Sequence, residues 1–270
     1  MSDDTIDLLI ERERIKKKIK DKDLFETVEE VFDYRTVMTL YELMRRHVLR
    51  RMNGVISTGK EARVYLGYGY NGEEYAVKIY LTATAEFRKG ILKYIGGDPR
   101  FQGILPRDTR KLIYLWTRKE FRNLKKLYDA GVSVPKPIAS HNNVLVMEFI
   151  GEDGVRAPLL KEVWQELSEN DLYWIYEQVI NNMQKMYCRA RMVHADMSEF
   201  NIMVRKDMSI VIIDVSQAVL IDHPNAMDFL DRDIRNIYRF FYKEAGLDIP
   251  SPEELWRMIT CCREKVDASY

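Results

Sequence analysis

The stretch that decides the reading is His194-Ala195-Asp196-Met197-Ser198-Glu199-Phe200-Asn201, followed by a short apolar run at 202–204 and then by Ile212-Ile213-Asp214. An Asp and an Asn five positions apart on one tight loop precede two short strand-like runs, and a second Asp closes the latter of them. Transfer of a phosphoryl group from a nucleotide asks little covalent chemistry of a protein. It needs a carboxylate that orients the attacking oxygen or takes its proton, and oxygen ligands that hold a divalent cation on the phosphates. In this order and spacing Asp196 is the candidate base, and Asn201 and Asp214 are the candidate metal ligands. Each piece alone is weak: an Asp–Asn pair at this spacing arises by chance, and Asp214 alone reads as a strand-end cap.

Working outward, the upstream half supplies three more pieces in the required order. Ala76-Val77-Lys78-Ile79 reads as a strand whose lysine would bind the α- and β-phosphates. Glu120, within a helical pattern expected from about residue 109 to 130, is placed to pair with that lysine. Ser57-Thr58-Gly59-Lys60-Glu61-Ala62 joins the first two expected strands, where a phosphate-covering loop belongs. It holds one glycine, and Ser57 and Lys60 are the candidate phosphate contacts. Met147-Glu148-Phe149-Ile150-Gly151 reads as a linker, with backbone groups of Glu148 and Ile150 toward an adenine. Val55, Val64, Ala76 and Met147 complete the candidate nucleotide-contacting set. Taken singly, Lys78 reads as a strand lysine and Glu120 as a helix charge; their joint order on the expected element types carries the argument.

The expected fold is α+β and two-lobed, like a protein kinase. Its first lobe is an antiparallel sheet with one inserted helix, and its second is truncated and mainly helical. Residues 55–80 alternate apolar and polar, and Asn71-Gly72 between the alternating runs is a hairpin signal. Helical spacing over about 28–52 ends in Arg45, Arg46, Arg50 and Arg51, read as a solvated face at a helix terminus. The divisions expected are a helical extension at 1–54, a first lobe at 55–150 with a flexible insertion near 82–110, and a second lobe at 151–270. Thr82, Thr84 and Thr109 are candidate phosphoacceptors in or beside that insertion, which also carries Arg88, Lys89 and Lys93. Helices are expected over 167–190, 224–244 and 252–265.

Composition bounds the classes. The 270 residues carry 42 basic and 42 acidic side chains, 46% hydrophobic and 31% charged, an ordinary globular balance with no whole-chain bias toward a polyanionic partner. No apolar run reaches membrane-spanning length, so no membrane partner is expected. Cys188, Cys261 and Cys262 form neither a C-x-x-C pair nor an even set, which argues against a disulfide framework and for a reducing, cytoplasmic compartment.

The motifs STGKEARVY at 57–65, MVHADMSEFN at 192–201, IIDVSQAV at 212–219 and DHPNAMDFLDRD at 222–233 resemble the RIO family of atypical serine/threonine protein kinases from about Val55 onward. STGKEA and the short stretch before Val55 are similar to the first RIO subfamily, in its compact archaeal form, rather than to the winged-helix subfamily. The resemblance implies ATP and Mg2+ as cofactors, with Mn2+ able to substitute, and a protein acceptor or the chain itself. It also implies a role in maturation of the small ribosomal subunit, with precursor particles of rRNA and ribosomal proteins as partners and ATP hydrolysis or autophosphorylation timing release. Departures from conventional kinases are plain. Ala195 stands where an Arg ordinarily pairs with a phosphorylated loop, Asp214-Val215-Ser216 lacks Phe-Gly, and a full peptide-docking lobe is not expected after Asp214. Two rivals remain at this point: a small-molecule phosphotransferase of the aminoglycoside- or choline-kinase type, which usually shows His-Gly-Asp, and a nucleotide-binding scaffold with little turnover. His194 is read as structural.

Overall fold

A computed structural model describes residues 32–81, 84–101, 103 and 105–262. The chain divides into two compact units. The first comprises residues up to Ile91 with Leu105–Arg122 and Lys136–Arg156; the second comprises Leu92–Ile104, Asn123–Pro135 and residues from Ala157 onward.

In the first unit, helix α1 (Tyr34–Arg45) is capped by Asp33, whose Oδ1 accepts from the Thr36 N–H at 2.7 Å. Strands β1 (Arg51–Thr58), β2 (Ala62–Tyr68), β3 (Glu74–Tyr80), β4 (Pro137–His141) and β5 (Val144–Glu148) form one antiparallel sheet in the order β1-β2-β3-β5-β4. The Asn71-Gly72 hairpin is present between β2 and β3, with Gly72 in the left-handed region at φ 87°. Alternation assigns the two faces. Val77, Ile79, Tyr65, Val144 and Val146 pack with Leu40, Leu43 and Met44 of α1. The opposite face gathers Leu66, Ala76 and Phe149 with Ile56, Val64, Tyr68 and Met147. Period-2 geometry puts Lys78 on the face of Ala76, away from the α1 core.

Two element bounds differ from expectation for a reason visible in packing. The helical spacing over 28–52 is realised only as Tyr34–Arg45, and residues 28–31 fall outside the described ones, as does any helix near the start of the chain. His47 takes φ 57°, which ends the helix, and β1 already begins at Arg51. Arg50 and Arg51 are therefore not on the helix; Arg51 instead lies 4.3 Å over the Tyr68 ring. The stretch expected as a flexible insertion contains helix α2 (Ala85–Ile95) and a 3-10 turn at Pro99–Phe101, so two helices, not one, separate β3 from β4. The glycines that suggested a loop sit within or just after α2, and its apolar residues Phe87, Ile91, Tyr94 and Ile95 are buried. Thr84 accepts from the Phe87 N–H at its Oγ1, and Thr109 accepts from Arg88 at 3.4 Å; Thr82 lies outside the described residues. Helix α3 (Thr109–Asp129) follows, and a minimal hairpin, β6 (Gly151–Glu152) with β7 (Val155–Arg156), ends the first unit.

The second unit is mainly helical: α4 (Leu160–Val163), α5 (Glu169–Cys188), α6 (Ala226–Tyr238) and α7 (Pro252–Thr260). Ser168 and Ser251 close capping boxes with Asp171 and Glu254, which fixes where α5 and α7 begin. A π-helical turn, Arg239–Glu244, continues α6. Two short antiparallel pairs carry the loops of interest: β8 (Met192–Val193) with β11 (Val219–Leu220), and β9 (Ile202–Val204) with β10 (Ile210–Ile212).

The cysteine expectation is corrected. Packing of α7 on α5 brings Cys188 and Cys262 to a Cα separation of 5.2 Å, and they form a disulfide across 74 residues of sequence. Cys261 is the free, exposed one. Helix packing creates the proximity, which no local spacing rule can register, so the cysteine argument for a reducing compartment falls away. Among the described residues no helix is long and apolar enough to cross a membrane.

Candidate active site

The two halves of the sequence motif fall in different units. In the first, β3 and α3 bring Lys78 and Glu120 together. Lys78 Nζ lies 2.9 Å from Glu120 Oε1, with the two side chains 9% and 1% exposed. The Tyr80 hydroxyl donates to the other carboxylate oxygen of Glu120, and Lys78 Nζ sits 5.1 Å from the Tyr80 ring centre. Lys78 and Tyr80 are two apart on one strand face, so one buried carboxylate receives both.

Val64, Ala76 and Met147 stand on the same sheet face: Ala76 pairs across the ladder with Met147, and Val64 with Lys78. Val55 is exposed at 49% on β1, opposite Tyr65. Ser57 and Lys60 are exposed, and the Gly59 N–H closes the β1–β2 turn onto the Ala62 carbonyl at 2.9 Å. A Cβ at Gly59 would sit 3.2 Å from that carbonyl, so glycine keeps the turn tight. The Glu148 N–H is engaged by the Lys136 carbonyl at 2.8 Å, and Ile150 is buried.

In the second unit, the ladder of β9 and β10 is extended by the Ile213 N–H, which donates to the Asn201 carbonyl at 2.9 Å. That single bond seats Asn201 beside Asp214. Asn201 Nδ2 donates to the Asp196 carbonyl at 2.8 Å and reaches Asp196 Oδ2 at 3.4 Å. With its amino group engaged by Asp196, the Asn201 amide offers its oxygen as an acceptor. Gln217 Nε2 donates to Asp196 Oδ2 at 3.1 Å, and Ser216 Oγ donates to Asp214 Oδ1 at 2.8 Å. Burial first, and the neighbouring Asp214 charge second, hold the Asp196 carboxyl above its ordinary range; Arg232 and Asn201 pull the other way.

The backbone here is held in unusual conformations by side chains that the motif reading left without a role. Ala195 and Asp214 take φ 66° and 54°, the left-handed region where a residue with a Cβ is strained by about 1–2 kcal/mol. Asp233, 1% exposed on α6, accepts the Ala195 N–H at 2.8 Å and the Met197 N–H at 2.9 Å, one on each carboxylate oxygen. Arg232 donates to the Ala195 carbonyl. Burial pushes the Asp233 carboxyl up to about 7 against those two N–H donors. His194 is buried, its Nε2 3.3 Å from the Ile213 carbonyl, so that nitrogen carries the proton; burial lowers its pKa to about 4. An imidazole kept neutral near pH 7 and tying one loop to the other is a structural part. Behind Asp214, Asn123 Nδ2 donates to the Val215 and Ala218 carbonyls at 2.8 and 2.9 Å. Asn123 in turn accepts from Arg100, which is clamped on the buried Asp98.

Residue chemistry fits a hard divalent cation. Asp214 and Asn201 offer carboxylate and amide oxygens, and with the second carboxylate, Asp196, negative charge exceeds what Arg232 offsets. Among the described residues no group of three or more His, Cys, Asp or Glu is arranged for a metal. A two-ligand site of this kind suits a cation that shares its coordination with substrate phosphates.

Asp233 and Gln217 lie in segments that the family resemblance had already marked, DHPNAMDFLDRD and IIDVSQAV, so that resemblance was the available signal. Tyr80, Asn123 and Arg100 had none, because their partners are distant in sequence.

Residues 63–254 match the RIO domain. A curated relative, the serine/threonine-protein kinase RIO1 of Homo sapiens, is 43% identical over 96% of this chain and 46% of its own length. This chain thus spans about half the length of that relative. The RIO-type serine/threonine-protein kinase Rio1 of Haloferax volcanii is 40% identical, over 91% of this chain and 84% of its own. Among solved structures, the Rio2 kinase–ADP/Mg2+–phosphoaspartate complex from Chaetomium thermophilum aligns with a TM-score of 0.62 at 26% identity, covering 84% of this chain and 66% of that one. The α+β fold is accordingly protein-kinase-like, and the chain belongs to the RIO family of atypical protein kinases, on the side of its RIO1 members.

Proposed function

We propose that this chain is an ATP- and Mg2+-dependent serine/threonine phosphotransferase that also phosphorylates itself and turns ATP over with water. The observation that carries the reading is the Asp196–Asn201–Asp214 cluster. One carboxylate is oriented by two amide donors, Asn201 and Gln217, and a second stands beside an amide oxygen suited to a cation. Asp196 orients the acceptor hydroxyl and takes its proton, and its raised affinity for protons suits that task at neutral pH. Asn201 and Asp214 hold magnesium, which when bound with the nucleotide neutralises phosphate charge in the ground and transition states. Lys78, fixed by Glu120, binds the α- and β-phosphates, and Ser57 and Lys60 contact phosphates from the exposed turn. Val55, Val64, Ala76 and Met147 pack on the adenine. Because the Glu148 N–H is already engaged, Glu148 contributes its carbonyl and Ile150 its N–H to the base edge.

The named Rio2 complex contains a phosphoaspartate. In this chain Asp214, the more exposed carboxylate, is the residue proposed to accept phosphate in an analogous way. The family resemblance supports a cytoplasmic role in small-ribosomal-subunit maturation, with a precursor particle as partner and the nucleotide cycle timing release. Incubation with Mg2+ and γ-labelled ATP tests the chemistry in wild type, Asp196→Ala and Asp214→Ala. Label or free phosphate is expected from wild type and from neither variant; a wild type that binds ATP and produces neither sinks the reading. Unchanged precursor-rRNA processing in cells lacking the protein would sink the ribosomal role alone.

A further inference from the structure

The segment at 92–101 opens with a basic and aromatic cluster that the catalytic reading does not use. Lys93 Nζ lies 5.3 Å from the centre of the Phe229 ring on α6, and 5.5 Å from that of Tyr94. Arg232 Cζ is also 5.3 Å from the Phe229 ring, and the Tyr94 and Phe229 centres are 5.4 Å apart. The segment is anchored: His223 Nε2 donates to the Gly96 carbonyl at 2.9 Å, and a Cβ at Gly97 would meet Pro224 at 2.8 Å. Phe229 is buried and holds both cations by its electron-rich faces.

Two positive charges on one ring lie within about a Debye length, roughly 10 Å, and repel. Lys93 is exposed and has no carboxylate partner among the described residues. Arg232 donates to the Ala195 carbonyl and hydrogen-bonds the Tyr94 side chain, while its buried Nε has no hydrogen-bond partner. Asp196 and Asp233 offset part of the Arg232 charge, and each is also held by other donors, Asp196 by Asn201 and Gln217 and Asp233 by two backbone N–H groups, whereas nothing among the described residues offsets Lys93. An anion that settled between Lys93 and Arg232 would relieve their repulsion and stand next to Ala195, the neighbour of Asp196. A hydroxyl presented to Asp196 by an extended segment would bring its flanking side chain to that spot.

We propose that Lys93 and Arg232 form a subsite for an acidic side chain flanking the acceptor hydroxyl, so that the protein acceptor is a serine or threonine in acidic surroundings. The inference rests on the phosphotransferase reading above and names the substrate class for that site.

Direct binding tests it without requiring turnover. Fluorescently labelled serine peptides flanked by Asp and Glu, by Ala, or by Lys are titrated with wild type, Lys93→Ala and Lys93→Glu at low salt, with melting curves to confirm that the variants fold. The acidic peptide is expected to bind wild type roughly tenfold more tightly than the Ala peptide. That preference should shrink in Lys93→Ala, turn toward the Lys peptide in Lys93→Glu, and fade with added salt. Equal affinity of wild type for the acidic and Ala peptides would overturn the subsite. So would a preference that survives in Lys93→Glu, or displacement of the peptide by a short single-stranded RNA better than by excess acidic peptide. Selective binding of the acidic peptide without any label transferred from γ-labelled ATP would leave the subsite standing and remove the phosphotransferase reading instead.

Discussion

In the first unit a lysine and a glutamate face each other across 2.9 Å, nearly closed off from water, with a tyrosine hydroxyl completing the carboxylate. In the second unit two carboxylates, Asp196 and Asp214, stand together with amides and a serine hydroxyl, and burial first and the Asp214 charge second raise the proton affinity of Asp196 against the pull of Arg232. The first arrangement is electrostatically complete as it stands. The second sets two carboxylates against the Arg232 charge and is left with negative charge in excess, which is the condition a divalent cation brought in with a nucleotide would cure. The contrast also explains two kinds of scaffolding. The first pair sits on regular sheet and helix, where alternation alone aims Lys78. The second sits on loops in left-handed conformations, which need Asp233, Arg232, Asn123 and His194 to keep them there.

The largest expected effect attacks the incomplete half. Asp196→Asn keeps the shape and removes the proposed base, and phosphoryl transfer should fall by about 10²–10⁴-fold while ATP affinity stays near wild type. Single-turnover assays with a parallel nucleotide titration check both halves of that statement. For the complete half, removing one partner strands a buried charge. Lys78→Met should cost about 3–5 kcal/mol in denaturant unfolding, and Lys78→Met with Glu120→Gln should recover much of it without recovering nucleotide binding. A double variant no more stable than the single one would contradict the pairing.

The disulfide gives an effect of similar size outside both halves. It closes a 74-residue loop, so Cys188→Ser, or reduction, should lower the stability of the second unit by up to about 4 kcal/mol, read as a fall in melting temperature. An unchanged melting point under reductant would show that the bond contributes nothing to stability.

The smallest effects are pH slopes, and they oppose each other. His194 is kept neutral, its pKa lowered to about 4, so its contribution to stability is complete above 6.5 and is lost as pH falls toward 4. Asp233 is raised to about 7, so its contribution is complete below 3.8 and is lost as pH rises through 7. Relative to wild type, His194→Asn should flatten the acid-side loss, and Asp233→Asn should flatten the loss toward neutral pH. Melting temperatures collected from pH 4 to 8 distinguish them; parallel profiles would mean that neither group is perturbed by folding.

How much of this was legible beforehand follows the same division. The sheet, its Asn71-Gly72 hairpin and the Lys78 strand could be read because alternation is local and turn chemistry is written in adjacent residues. The placement of Asp196, Asn201 and Asp214 on one loop and the ends of two short strands could be read because spacing fixes it. What joins distant segments left no local trace. Asp233 looks like any charge on an amphipathic helix until α6 is placed against the backbone of residues 195–197. The Cys188–Cys262 bond exists only because α7 packs on α5. Helix α2 was hidden by glycines that a short helix tolerates when Phe87, Ile91 and Ile95 are buried.

The most direct test of the account is the affinity for ATP with and without Mg2+, measured by calorimetry on wild type and on Asp214→Ala. If Asp196 and Asp214 together carry more negative charge than Arg232 offsets until a cation arrives, Mg2+ should tighten ATP binding to wild type by roughly tenfold or more, and Asp214→Ala should lose most of that gain. ATP binding of equal strength with and without Mg2+ in wild type would contradict the central claim.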